Sequence, residues 1–341
     1  RPARWPAVDL AVPRHRKLTA VFTFGTLVLL CLFSVGGYHA YHHSNSVEFC
    51  GITCHEVMEP EFTAYQRSSH ARVACAACHI GSGAGWFARS KLSGVRQIFA
   101  VARNDFSRPI PTPIEHLRPA QETCEQCHWP EKFFGAQQLR NDHFRYDEEV
   151  SGWPINLLVL TGGEDPASGL KDGIHWHMNI MSKVEYIARD ERRQDIPWVR
   201  VTNRETGVVT IYQNEEDPLT EEEIAAAEPR RMDCVDCHNR PSHVFNSPDY
   251  AVNQALLAGR IPRELPSIKA VAVEAMAAGY ATKDEARHGI ANHITSYYRR
   301  KMGDEYADGP VVRQAIAGTQ AQYALNIFPE MGTRWAAYPD N

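Results

Sequence analysis

Hydrophobic positions are unevenly distributed along this chain. From Leu18 to Tyr38 they run as LTAVFTFGTLVLLCLFSVGGY, 21 positions without a charge. As a helix this rises roughly 32 Å, enough to cross a bilayer core of about 30 Å. Arg14, Arg16 and Lys17 directly precede it, and the next basic Lys or Arg is Arg67. That asymmetry predicts a single membrane anchor, residues 1–17 in the cytoplasm and everything past residue 38 outside. A cleaved signal peptide has a shorter apolar core, roughly 7–15 residues, so a retained span is the reading taken. Cys31 within it reads as an inert lipid- or partner-facing residue.

Beyond the anchor, helical periodicity is weak until about residue 245. Residues 101–120 are proline-rich (RPIPTPIEHLRP) and read as an extended connector. In an insertion at 140–231, IPWVRVTNRETGVVTIYQN alternates β-branched residues around a glycine-containing turn and predicts a β-hairpin. Thr220 and Glu223 form a capping-box pattern, predicting a short helix that runs on into residues 232–245. The run Glu221-Glu222-Glu223 suits that helix's positive end. After residue 246 the pattern turns helical, with spans near 249–259, 266–278, 283–302 and 311–327.

A composition of 43% hydrophobic and 23% charged residues excludes a wholly disordered, collagen-like or polytopic membrane chain. The formal charge of −5 implies no general affinity for nucleic acid. Setting aside Arg1, Arg4, Asp9, Arg14, Arg16 and Lys17 leaves the exported part at −9. That acidity suits a partner with a basic docking patch.

Eight of the nine cysteines fall in four pairs, each followed at once by histidine. Three are C-x-x-C-H: Cys75–Cys78–His79, Cys124–Cys127–His128 and Cys234–Cys237–His238. The fourth, Cys50–Cys54–His55, has three intervening residues. This is the attachment pattern of c-type haem: two neighbouring thiols add to the two vinyl groups of one porphyrin, and the adjacent histidine reaches the iron. A zinc site built from two C-x-x-C pairs leaves a histidine after every second cysteine unexplained. Four covalently bound haems are therefore expected, packed closely enough to pass electrons between them and to supply much of the buried apolar surface.

Six-coordinate haem needs a second axial ligand. His70, five residues before Cys75, and His243, five after His238, are candidates, as are His175 and His177 in GIHWHMNIM. Met58, four residues after Cys54, can ligate the first iron through its thioether. His116 and His143 are held in reserve. His288, His293, His39, His42 and His43 read as surface or hydrogen-bonded residues. The fold class expected is mainly α with much irregular structure: the membrane helix at 18–38, a haem-packed region at 39–139, the insertion with its small β-hairpin at 140–231, the fourth motif at 232–245 and a helical region at 246–341.

One anchor followed by four such motifs resembles the NapC/NirT/NrfH-type membrane tetrahaem cytochromes c. The likeness covers roughly residues 14–130 and 232–245, with a larger, metal-reducer-like layout in CHWPEKFFG, HWHM and NIFPEMGTRWAAYPDN. It implies a quinol dehydrogenase in the bacterial inner membrane whose periplasmic domain passes electrons to a periplasmic or membrane-associated redox partner. It also implies that Met58 faces the quinol at the first haem, that His70 and His243 are distal ligands, and that Lys91 in ARSKLSG lies in the quinol pocket, with Arg89 or Arg96 assisting. The family's usual first motif is C-x-x-C-H-x-M, whereas this chain has C-x-x-x-C-H-x-x-M, so either His55 or Met58 takes the first iron.

Two other readings stand beside this one. The chain can be a relay subunit of a larger respiratory or photosynthetic assembly, fed by a neighbour that handles the quinol. It can also be a terminal multihaem reductase, though no C-x-x-C-K variant is present. The acceptor, the quinone type and any association with itself or other subunits stay open at this stage.

Overall fold

A computed structural model describes residues 8–338 except 54, 113–117, 130–134, 163–172, 176–181 and 191–192, and leaves the side chains of 55 and 56 undescribed. Helix α1 (Pro13–His43) overruns the uncharged stretch by five residues at each end. Pro13 at its first turn has φ already fixed for a helix and no N–H to leave unpaired. At the far end the Ser44 N–H closes on the Ala40 carbonyl. None of α1 is buried against protein. Among the described residues it is the one helix long and apolar enough to cross a membrane. Where it ends, the Tyr38 ring meets His42 tilted and the Tyr41 ring meets it edge-on.

The next hundred residues are short helical pieces: α2 (His55–Gln66), α3 (Cys75–His79), α4 (Ala84–Ala102) and α5 (Ala120–Thr123). They have almost no core of their own. Between residues 39 and 139 the buried apolar side chains, among the described residues, are Val57, Pro60, Ala64, Tyr65 and Ala120. Ile52, Val73 and Trp129, close in sequence to the cysteine motifs, are exposed. Segments this poor in mutual burial need a further apolar body to pack around.

The insertion is more strand-rich than its sequence suggested. β1 (Ala136–Phe144) and β2 (Gly152–Leu160) form an antiparallel ribbon. A second antiparallel sheet has the order β5-β4-β3-β6, from β3 (Ser182–Ile187), β4 (Trp198–Asn203), β5 (Val209–Gln213) and β6 (Arg230–Arg231). β4 and β5 are the expected hairpin. Its turn is held by Asn203 Oδ1, which accepts from the N–H groups of Glu205 and Thr206, and by Gly207 at φ +70°.

Helix α6 (Glu221–Ala226) opens with both hydrogen bonds of the Thr220/Glu223 capping box. One expectation is corrected here: α6 does not run into the fourth motif. It stops at Ala226, because Pro229 disfavours helical backbone at Glu228 and cannot supply an N–H, and β6 intervenes.

The C-terminal region is a conventional bundle of α7 (Pro248–Leu257), α8 (Ile268–Ala277), α9 (Lys283–Met302), α10 (Asp304–Ala307) and α11 (Pro310–Asn326). Ser247 caps α7 and Thr282 caps α9 through their hydroxyls. Leu256, Ile261, Leu265, Ile268, Met276, Ile290, Ile294 and Tyr298 make its core. Polar ties bind the bundle to the rest. Buried Lys269 donates to the Phe144 carbonyl at the end of β1 and pairs with Asp249 at 2.8 Å. Arg67, just past α2, donates to the Leu325 carbonyl of α11 at 2.6 Å.

Candidate haem-binding site

Local sequence shapes each motif. At the fourth, Asp233 and Asp236 cap one another's N–H groups and hold Cys234–Asp236 in a 3-10 turn. Asp236 is fixed in turn by Arg193 at 2.6 Å, Arg230 at 3.2 Å and the Tyr186 hydroxyl at 2.8 Å. Asp233 also accepts from the Ala120 N–H at 3.4 Å, tying the fourth motif to the helix that leads into the third. Near the second motif Gly81 lies at φ +68°, and a Cβ there would come within 1.9 Å of Arg118 Nη1. Arg118 donates to the Ser82 carbonyl and pairs with Glu122, just ahead of the third motif.

The motifs stand close together. Cys50 and Cys75 share a thiol hydrogen bond, which holds the Cys50 thiol below its ordinary range and pushes Cys75 above it. Cys124 and Cys234 do the same, with Cys124 the lowered member. Motif one thus adjoins motif two, and motif three adjoins motif four. Burial raises the Cys78 thiol, and its electrostatic neighbours are Cys124 and Cys127, which brings motifs two and three together. In motifs two to four the first cysteine is half-buried and the second exposed.

Each of the three described motif histidines meets one histidine from elsewhere. The ring centroids of His79 and His243 are 6.2 Å apart, those of His128 and His70 6.0 Å, and those of His238 and His175 6.3 Å. A metal bonded to two imidazoles at roughly 2.0–2.1 Å, with roughly 1.1 Å more from each nitrogen to its ring centre, calls for centres about 6.3 Å apart.

The ring nitrogens fit as well. His243 Nδ1 donates to the Glu61 carbonyl at 3.1 Å, His175 Nδ1 to the Thr161 carbonyl at 2.7 Å and His70 Nδ1 to the Pro241 carbonyl at 3.4 Å. A carbonyl only accepts, so the proton sits on Nδ1 and the Nε2 lone pair is left for a ligand role. Burial lowers the pKa of both His79 and His243, favouring the neutral imidazole that binding requires. Spacing, tautomer, exposed second cysteines and the missing core all fit a flat apolar group held between each pair.

Sequence proximity misleads about the partners. Neither His70 nor His243 meets the motif nearest to it in the chain. His175 does stand at the fourth motif, whereas His177, His116 and Cys54 lie outside the described residues, as does the side chain of His55. Met58 is half-buried on α2. His143 is hydrogen-bonded to Asn253 beside the bundle, His288 contacts the Asp284 carbonyl and His293 faces Glu274. His39, His42 and His43 remain at the end of α1.

Lys91 donates to the Ser44 carbonyl at 3.0 Å, the Ser44 hydroxyl at 2.9 Å and Asn45 Oδ1 at 3.0 Å, and its charge acts on Cys50. Arg89 and Arg96 are exposed. Sequence reasoning missed Glu61 and Arg240. Arg240 pairs with Glu61 at 3.2 Å, donates to the His243 carbonyl at 2.8 Å and lies 4.0 Å over the Tyr338 ring. The arginine between the fourth motif and His243 was a readable hint, while nothing in the sequence marked Glu61. Burial raises the Glu61 carboxyl, with Arg240 opposing.

Residues 12–110 match the model of the NapC/NirT cytochrome c family, N-terminal region. The chain is also 43% identical over 338 residues to cytochrome c-type protein ImcH of Geobacter sulfurreducens, a match covering 99% of this chain and 66% of that relative. No solved structure matches the chain.

Proposed function

The chain belongs to the NapC/NirT cytochrome c family, and from that premise we propose that it is a single-span membrane protein with four covalently attached haems, taking electrons from membrane quinol and delivering them to a periplasmic or membrane-associated acceptor. In this reading the N-terminus is cytoplasmic and the motifs are periplasmic. Bound haem c supplies the reversible one-electron couple of the relay.

The chain's own residues divide the work. Cys50 and Cys54 hold the first haem, with His55 or Met58 as protein ligand. Cys75 and Cys78 hold the second between His79 and His243. Cys124 and Cys127 hold the third between His128 and His70. Cys234 and Cys237 hold the fourth between His238 and His175. Glu61 and Arg240 orient His243. The observation that carries this reading is the set of three histidine pairs at 6.0–6.3 Å, each joining a motif histidine to a second whose Nδ1 is already engaged. The contacts among Cys50, Cys75, Cys78, Cys124 and Cys234 support an order of one, two, three, four from the membrane outward.

Lys91 suits the quinol end, since it lies between the exit of α1 and the first motif. One observation favours the second reading, a relay subunit fed by a neighbour: the Lys91 ammonium has three donors, and α1's exit already supplies three acceptors. The experiment is menaquinol-driven reduction of the purified protein, with haem counted as the pyridine haemochrome. Rapid reduction of four haems per chain supports quinol oxidation. Reduction by dithionite but never by quinol leaves the relay subunit.

A further inference from the structure

Helix α4 has two unlike sides. Trp86, Phe87, Ser90, Lys91 and Gly94, at helical spacing, are half-buried and turned toward the protein. Phe87 meets Tyr41 at 5.1 Å, Lys91 holds Ser44 and Asn45, and the Arg118 guanidinium lies over Trp86. The opposite side carries Leu92, Val95 and Phe99, which are 74%, 53% and 57% exposed. Beside that stripe Arg89, Arg96 and Arg103 recur every seven residues, close to two turns, and so line up along one edge. No carboxylate pairs with any of the three among the described residues, and Arg103 lies over the Phe99 ring at 5.9 Å.

We propose that α4 lies in the plane of the bilayer surface, with Leu92, Val95 and Phe99 in the acyl boundary and Arg89, Arg96 and Arg103 holding the phosphates of anionic phospholipid. The reading rests on α1 crossing the membrane. Given that, depth follows from the contacts: α4 is bound at Phe87 and Lys91 to Tyr41, Ser44 and Asn45, the residues at which α1 leaves the bilayer. Three basic residues in its 19, with Arg103 capping its end, exclude a second span. An exposed apolar stripe edged by arginines is the composition of an interfacial helix. The stripe faces away from Tyr41, Ser44, Asn45 and Arg118, the groups on which the other side of α4 packs. Near an anionic surface each arginine weights the docked state by roughly fivefold.

The test is site-specific photo-crosslinking of the full-length, haem-loaded chain in vesicles of phosphatidylcholine with or without phosphatidylglycerol. A benzophenone side chain replaces Phe99, or Gln97 as the off-stripe control, or Leu27 as a control inside α1. The expected result is a lipid adduct at 99 and 27 and not at 97. The yield at 99 rises with phosphatidylglycerol, and R89Q/R96Q/R103Q removes that dependence while the Soret spectrum stays unchanged. An adduct of 99 with protein, or none at 99 while 27 reacts, overturns the proposal. A lipid adduct at 99 that is indifferent to phosphatidylglycerol and to the arginines overturns the anionic-lipid assignment. Failure of 27 to find lipid points instead to failure of the membrane-span reading.

Discussion

His243 and His79 face one another at 6.2 Å although they belong to the last and the second cysteine motif regions. Replacing His243 with methionine should leave the haem content unchanged, because no cysteine is touched. It should raise one of the reduction potentials by on the order of 0.1 V, a modest part of the ~0.8 V that axial ligands command. A redox titration followed at the Soret band reads this directly. An unchanged set of potentials would show that His243 binds no iron.

Lys91 acts as a latch between α4 and the end of α1. If that is its contribution, Asn45→Ala should slow menaquinol-driven reduction in the same direction as Lys91→Ala. Each should also raise hydrogen exchange in the first half of α4, since each removes a contact worth about 1–2 kcal/mol. If Lys91 instead acts on quinol alone, Asn45→Ala leaves the rate at the parent value.

Lys269 is 3% exposed and holds together β1, α7 and α8 through Phe144 and Asp249. Lys269→Met should cost about 2–3 kcal/mol by leaving the buried carbonyl without its donor. The pair also sets a pH dependence. Burial alone would raise the Asp249 carboxyl, and Lys269 and Tyr146 outweigh it, leaving the pKa below the ordinary 3.8. This contribution is therefore complete above that ordinary value and is lost as pH falls through the depressed one. The gap between parent and variant in thermal unfolding should narrow at strongly acid pH to the share owed to the Phe144 carbonyl, and parallel curves would refute the assignment.

Gly318 packs α11 against the backbone before Ile261: a Cβ there would lie 2.5 Å from the Arg260 carbonyl oxygen. Backbone on both sides cannot yield as a side-chain tip does, so Gly318→Ala should destabilise the bundle by about 1–3 kcal/mol. Haem absorbance at room temperature should not change, and the melting midpoint should fall.

What was legible in the sequence was local. The span at Leu18–Tyr38, the capping box at Thr220, the β4–β5 hairpin and the C-terminal helices each follow from residues within a few positions of one another, and so do the cysteine motifs. The histidine partners were not legible, because a pairing of His70 with His128 is a product of tertiary packing. The β1–β2 ribbon escaped notice for another reason. Leu157-Leu158-Val159-Leu160 is a continuous apolar run and β1 is mostly polar, so neither alternates cleanly. Helix α4 has a readable period, but its apolar side has no protein to face, and a search for a core passes over it.

The crossed pairing of histidines has a consequence for how such a chain is made. Delivered amino end first, it presents His79 long before His243, and His70 before His128. The third and fourth motifs find their partners, His70 and His175, already delivered, whereas the second waits until the fourth motif is out. Completion of the second motif is thus a late event, and a chain arrested before residue 243 leaves that motif half-finished however well its cysteines have been furnished.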